Sequence, residues 1–151
     1  MNKIMLDDAE IFPSKVVCIG RNYLDHIKEL NNETPEEMVF FIKPNSAISS
    51  KLVFPKNQKS CHYEAEISFI IKKSQIIGVG FGLDLTLREV QTKLKQKGLP
   101  WERAKAFDGS AVFSQFISFN DDISKLEIEL YINGELRQKG DYSLMINKPD
   151  E

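Results

Sequence analysis

Along the chain, short apolar runs alternate with polar residues more often than they recur at helical spacing. "KVVCIG" (15–20) predicts a short buried strand. "RNYLDHIKEL" (21–30) predicts a helix, with Leu24, Ile27 and Leu30 at i, i+3 and i+6. "NNETPEE" is a polar break. "MVFFIKP" and "KLVFP" predict strands stopped by Pro44 and Pro55, because proline brings no N–H to a ladder. "YEAEISFII" (63–71) has the clearest strand alternation, and "KKSQ" predicts a hairpin tip leading into "IIGVGFGLDL" (76–85). There Gly78, Gly80 and Gly82 recur at period two, which puts bare backbone on one face and predicts close packing or a bend. "TLREVQTKLKQKG" (86–98) predicts a helix with Thr86 as N-cap, Glu89 completing a capping box and Gly98 as terminator. "KLEIELYI" and "ELRQ" flank Asn133-Gly134, a two-residue hairpin signal. Several strands with two short helices make an α+β chain dominated by sheet.

Composition narrows this picture. A chain of 151 residues has room for one core, burying roughly 68–70% of its unfolded surface, so a single domain over 1–151 is expected. The formal net charge of -2 gives no general attraction to nucleic acid or to an anionic membrane. No run reaches membrane-spanning length, and "MNKIMLDDAE" lacks the apolar centre of a signal peptide. Cys18 and Cys61 are too few for a disulfide framework, so both are expected as buried thiols in a reducing cytoplasm.

Candidate chemistry starts in the strand "HYEAEISF". Residues two apart on a strand share a face, so Glu64 and Glu66 point the same way while Ala65 points opposite. Like charges that close repel, and a hard divalent cation such as Mg²⁺ relieves them. A third carboxylate, Asp84, follows the glycine-rich strand. E-x-E is also what a solvated strand face carries, and an acid before a helix also serves the helix dipole. His26 and Glu29, three apart on the predicted helix, suit a general base with its orienting carboxylate, or an ordinary surface ion pair. His62 has no partner at zinc-ligand spacing. Lys105 is a surface lysine or a buried electrostatic group, and Gly20-Arg21-Asn22 is a short candidate anion cradle.

Taken in order, "GRNYLDH" (20–26), "FFIKPNSAI" (40–48), "HYEAEI" (62–67), "GFGLDLTLREVQ" (80–91), "KGLPWERAKAFDGSAVFS" (97–114) and "YINGELRQKG" (131–140) resemble the signatures of the fumarylacetoacetate hydrolase family. They are most similar to its small acylpyruvase and oxaloacetate decarboxylase branch. The resemblance implies the family's mixed β-roll and a Mg²⁺ or Mn²⁺ ion held by Glu64, Glu66 and Asp84. It also implies a water-activating pair at His26 and Glu29, a catalytic lysine at Lys105, and substrate-site residues at Arg21, Lys43, Arg88 and Gln91. The implied activity is hydrolysis of a carbon–carbon bond in small oxo acids such as acylpyruvates, releasing pyruvate. Oxaloacetate decarboxylation and isomerisation are the sibling activities, and a homodimer the expected assembly.

Two departures accompany the resemblance. Glu66 and Asp84 are 84 − 66 = 18 residues apart, closer than the family pattern, with a helical insertion reduced to the "KKSQ" turn. The sequence ends at "MINKPDE", where family members are expected to continue through a helix, further strands and a Gly-Thr-Pro-x-Gly loop. The expected β-roll is therefore incomplete at its C-terminus. The alternative to an enzyme is a catalytically incomplete fragment or binding module.

Overall fold

The strand predicted from "YEAEISFII" and the glycine-rich strand after it form one long hairpin, and the rest of their unit is arranged around it. The computed structural model describes residues 1–23 and 37–150. The core of the predicted first helix, with His26 and Glu29, lies outside the described residues. In chain order the elements are β1 (Ile4–Leu6), β2 (Ala9–Ile11), β3 (Lys15–Gly20), β4 (Val39–Pro44), β5 (Ile48–Ser49), β6 (Ala65–Lys72) and β7 (Gln75–Asp84). They continue with α1 (Arg88–Gln96), α2 (Glu102–Lys105), β8 (Ala111–Phe113), β9 (Ile117–Ser118), β10 (Glu127–Ile132) and β11 (Glu135–Asp141). The chain divides into two compact units, one made of Met1–Val16 and Ile42–Asn120, the other of Val17–Phe41 and Asp121–Glu151.

In the first unit a mixed sheet runs in the order β5-β8-β7-β6, with β9 also pairing β7. The β5–β8 pair is parallel and the others are antiparallel. β6 and β7 are joined through Lys73 and Ser74, whose φ angles of 50° and 60° give the two-residue turn that matches strand twist. The glycines of β7 do what their spacing predicts. A Cβ on Gly78 would lie 2.7 Å from Cδ1 of Leu6, and one on Gly80 2.8 Å from Cδ1 of Phe116. Phe116 thus packs against bare backbone and joins Ile4, Ile48 and Ile70 in the main core, with Leu6, Ile11, Val16, Ile77 and Phe113 around them. Burying each such large apolar side chain contributes about 1.5–3 kcal/mol. A smaller cluster of Leu87, Leu94 and Ala104 ties α1 to α2, with Val90, Phe107 and Cys61 alongside.

The helix of 86–98 begins later than its sequence predicts. α1 starts at Arg88, and Leu87 at the N-cap offers no side-chain cap, so the Thr86–Glu89 capping box is not formed. Thr86 instead extends the hairpin ladder. It exchanges backbone hydrogen bonds with His62, at 2.8 Å from the His62 N–H and 2.9 Å from its own. The predicted end is correct. Gly98, at φ +62°, follows the last turn, with Gly98 N–H donating to Lys95 O and Leu99 N–H to Leu94 O.

The second unit contains the β10–β11 hairpin, turned through Asn133 (φ 53°) and Gly134 (φ 82°) as the Asn-Gly signal predicts. Asn22 and Asn147 bond each other reciprocally, Asn22 Nδ2 donating to Asn147 O and Asn147 N–H to Asn22 Oδ1. Tyr23 forms a bridge with Met145, so residues 21–23 are not the first turn of a helix.

Three further expectations are corrected. β3 is a strand but not a buried one: Val17 and Ile19 are exposed, and among the described residues β3 pairs with β4 alone. "KLVFP" is irregular, with Leu52, Val53 and Phe54 exposed, since among the described residues no strand offers it a ladder. Both cysteines are free thiols, yet each is only partly buried. Among the described residues no helix is long and apolar enough to cross a membrane.

Candidate active site

The open end of the β6–β7 hairpin carries the acidic cluster. Register pairs Glu66 with Gly82 and Ala65 with Leu83, and Asp84 N–H donates to Glu64 O at 2.8 Å. Directly opposed residues of an antiparallel pair share a face, so Glu64, Glu66, Asp84 and Thr86 project together. The same face is apolar nearer the turn, where Ile70 is buried and Gly78 and Gly80 are covered by Leu6 and Phe116. One surface of one hairpin therefore serves as core at its closed end and as a charged site at its open end.

Lys105, at the end of α2, is buried and points into this cluster. Its Nζ donates at 2.7 Å to Glu64 Oε2, to Asp84 Oδ2 and to Thr86 Oγ1, one acceptor for each ammonium proton. Burial works to lower its pKa, but the charges of Asp84 and Glu64 prevail and raise it above the usual lysine value. Lys43, on β4, has no solvent exposure. Its Nζ donates to the carbonyl oxygens of Ser110, Leu85 and Lys105 and lies 2.9 Å from Asp84 Oδ1. Ser110 Oγ donates to the same Lys105 carbonyl at 2.8 Å, so the backbone of Lys105 is held from two sides. Arg88, the first residue of α1, pairs with Glu64 Oε1 and donates through Nη1 to Gln91 Oε1 at 2.6 Å.

The charges are nearly balanced but unevenly shared. Lys43, Lys105 and Arg88 pair with Glu64 and Asp84, while no ion pair or hydrogen bond reaches the Glu66 carboxylate among the described residues. Burial, and then the negative charges of Asp84 and Glu64, push the Glu66 pKa up to about 8. Asp84 Oδ1 is buried and accepts no hydrogen bond of good geometry, although Lys43 is close.

Six of the ten residues singled out in the sequence are thus joined in one contact network: Glu64, Asp84, Lys43, Arg88, Gln91 and Lys105. Glu66 shares their face without a contact. Arg21 belongs to the second unit, at φ 54° and with a buried Nε that has no hydrogen-bond partner among the described residues. Among the described residues no three His, Cys, Asp or Glu side chains converge as ligands of one ion. An ammonium, that of Lys105, lies between two of the three carboxylates instead. The donor set nevertheless suits a hard cation: three carboxylates on one face, one of them without an ion pair among the described residues and another with a buried oxygen that accepts no hydrogen bond. Thr86 and Ser110 were missed. Thr86 was detectable, since it lies two residues after Asp84 and so shares its face, whereas nothing in the sequence marks Ser110.

Comparison with known proteins identifies relatives by sequence and by fold. Residues 15–151 match the family described as fumarylacetoacetate (FAA) hydrolase C-terminal. The chain is 43% identical over 152 residues to the oxaloacetate tautomerase YcgM of Escherichia coli, covering 89% of this chain and 69% of that protein. It is 37% identical to the mitochondrial oxaloacetate tautomerase FAHD1 of Bos taurus, covering 87% of this chain and 66% of the relative. The fold also matches the crystal structure of fumarylpyruvate hydrolase from Pseudomonas aeruginosa in complex with Mn²⁺ and pyruvate. There the TM-score is 0.81 at 29% identity, over 96% of this chain and 72% of the other.

Proposed function

The chain belongs to the fumarylacetoacetate hydrolase family, and on that premise we propose that it acts on a small 2-oxo dicarboxylic acid, with oxaloacetate the leading substrate. The proposed reaction is keto–enol interconversion, in which a proton leaves the carbon beside the keto group and another arrives on oxygen. The observation that carries this reading is the buried Lys105 ammonium held between Glu64 and Asp84 on a face that also presents Glu66. Such a concentration of charge is costly to bury, and strongly perturbed groups of this kind cluster at functional sites.

Glu64, Glu66 and Asp84 would hold Mg²⁺ or Mn²⁺, which when bound polarises the keto oxygen and stabilises enolate charge. Lys105 places a positive charge where the substrate oxygen becomes negative. Lys43 and Ser110 fix the backbone of Lys105 and the side chain of Asp84, so that little reorganisation is needed during reaction. Arg88 sets the rotamer of Glu64 and takes the Oε1 of Gln91, which leaves the Gln91 amide N–H groups for a substrate oxygen. His26, oriented by Glu29, is the proposed proton carrier, and Arg21 the proposed partner of a substrate carboxylate. The same reading takes the protein as a cytoplasmic homodimer, which light scattering checks for assembly.

A second reading is hydrolysis of an acylpyruvate to pyruvate and a carboxylic acid, favoured by the likeness to the fumarylpyruvate hydrolase. One experiment separates them. Enol-oxaloacetate and an acylpyruvate are each supplied with Mg²⁺, with Mn²⁺ and with chelator, while loss of enol, formation of pyruvate and acyl release are followed. Metal-dependent enol loss without pyruvate supports tautomerisation. Pyruvate from oxaloacetate identifies decarboxylation, and pyruvate with acyl release from acylpyruvate identifies hydrolysis. No turnover of either substrate refutes the enzymatic reading.

A further inference from the structure

We propose that Lys105 is an internal counter-cation that occupies the acidic site in the metal-free protein, and that entry of the divalent ion displaces its ammonium toward the substrate. The inference rests on the ligand assignment above and concerns how that site is regulated. Lys105 Nζ makes equal 2.7 Å contacts to one oxygen of Glu64, one of Asp84 and the hydroxyl of Thr86. Two of those three acceptors are oxygens the metal would need. The ion pairs sharpen the conflict: three cations, Lys43, Lys105 and Arg88, already pair with Glu64 and Asp84. A divalent ion added with every cation in place would crowd further positive charge into a poorly hydrated site. One cation therefore has to give way.

Lys105 is the one built to do so. Lys43 is bound to three carbonyl oxygens and has no solvent exposure, and Arg88 is tied to Gln91 as well as Glu64. Lys105 instead holds one oxygen of each of two carboxylates and a single neutral acceptor, Thr86 Oγ1, on which its ammonium can remain when both carboxylates turn to the metal. Metal entry and the freeing of a cation for the developing enolate oxygen then become one event, and neither carboxylate is left unpaired while metal is absent.

The test is Mn²⁺ affinity by calorimetry for wild type, Lys105→Met and Lys105→Arg, with a thermal melt of each. Without the competing charge, Lys105→Met is expected to bind Mn²⁺ about tenfold or more tightly and to melt lower than wild type in chelator. Lys105→Arg, which keeps the charge, is expected to stay near the wild-type affinity. An unchanged or weaker affinity in a folded Lys105→Met protein overturns the proposal. If Lys105→Met does not fold, wild type carries the test through ¹⁵N-lysine spectra, the Lys105 signal being assigned by its loss in Lys105→Arg. A protected ammonium signal that vanishes or shifts on Mg²⁺ addition supports displacement, and one indifferent to Mg²⁺ overturns it. Glu64→Gln is the separate control for the ligand assignment: if it binds Mn²⁺ as wild type does, that assignment has failed rather than the displacement.

Discussion

The backbone N–H of Asp84 donates to the carbonyl oxygen of Glu64 at 2.8 Å, and this single ladder bond fixes the spacing of the two carboxylates that share Lys105. Because strand side chains alternate, a slip of one residue between β6 and β7 would send one carboxylate to the opposite face. The turn at Lys73–Ser74 and the packing of Phe116 on Gly80 hold that register from the far end of the hairpin. The hairpin register thus sets the three carboxylates, to which β4 brings Lys43 and α2 brings Lys105.

Asp84 is the anion that both buried lysines use, so its removal takes an anionic partner from two ammonium groups at once. Lys43 is left with carbonyl oxygens, and Lys105 with Glu64 and Thr86. Breaking a buried pair from one side costs about 3–5 kcal/mol. Asp84→Ala is expected to lower stability in chelator by an amount in that range, read by urea denaturation, as well as abolishing metal-dependent turnover. A loss under about 1 kcal/mol would mean that the pairs are solvated like surface bridges.

Glu66 gives a pH signature of definite sign. Its pKa rises from an ordinary 4.5 in the unfolded chain to about 8 in the folded one. Below the unfolded value both states hold the proton, and the folded state has the full benefit of a neutral Glu66. As pH rises toward 8 the unfolded chain releases its proton more readily, so this contribution is progressively lost. In chelator, the difference in stability between Glu66→Gln and wild type is expected to grow in favour of the variant from pH 5 to pH 8, about the range between the two values. A pH-independent difference, measured by denaturation at each pH, would remove the basis for an unpaired Glu66.

How much of this was legible in the sequence follows from the range of the forces involved. The hairpin β6–β7, its turn, the glycine face, the Gly98 stop and the Asn133-Gly134 turn were all readable, because each is set by local backbone sterics or by period-two alternation. The start of α1 was misread: Thr86 looks like an N-cap, but a ladder bond to His62 and a hydrogen bond from Lys105 engage it first. Tertiary partners outbid a local capping preference worth only about 1 kcal/mol. The carboxylates were identifiable as a pair from their spacing. Their occupation by Lys105 was not, because Lys105 lies 41 residues from Glu64 in sequence and no local pattern links the two. Lys43 shows the same limit: nothing in "FFIKP" tells that its lysine is closed off from solvent.

Gly80 tests the packing that holds the register. A Cβ there would stand 2.8 Å from Cδ1 and 2.9 Å from Cγ of Phe116, a ring that is 2% exposed and so has nowhere to move. Overpacking of this kind costs about 1–3 kcal/mol. Gly80→Ala is expected to lower the melting temperature by roughly 2–4 °C for each kcal/mol lost, for a chain of this size. Pairing it with Phe116→Leu should recover part of the loss, a coupling that a double-mutant cycle reads directly.

Gly98 offers the opposite case, conformation without crowding. A Cβ at Gly98 would meet nothing within 4 Å, yet its φ of +62° lies where side chains are disfavoured. The residue closes α1 through paired bonds from Gly98 N–H to Lys95 O and from Leu99 N–H to Leu94 O, and Leu94 belongs to the cluster that joins α1 to α2. Gly98→Ala should therefore destabilise by about 1–2 kcal/mol, from left-handed backbone cost alone. Gly98→Asn should cost less, because asparagine tolerates that region better. Neither change touches the carboxylate cluster, so Mn²⁺ affinity is expected to match wild type in both, measured well below the melting temperature. A loss of affinity in Gly98→Ala would show that the end of α1 is coupled to Arg88 and Gln91 at its beginning, and the site would then depend on the whole helix rather than on its first turn.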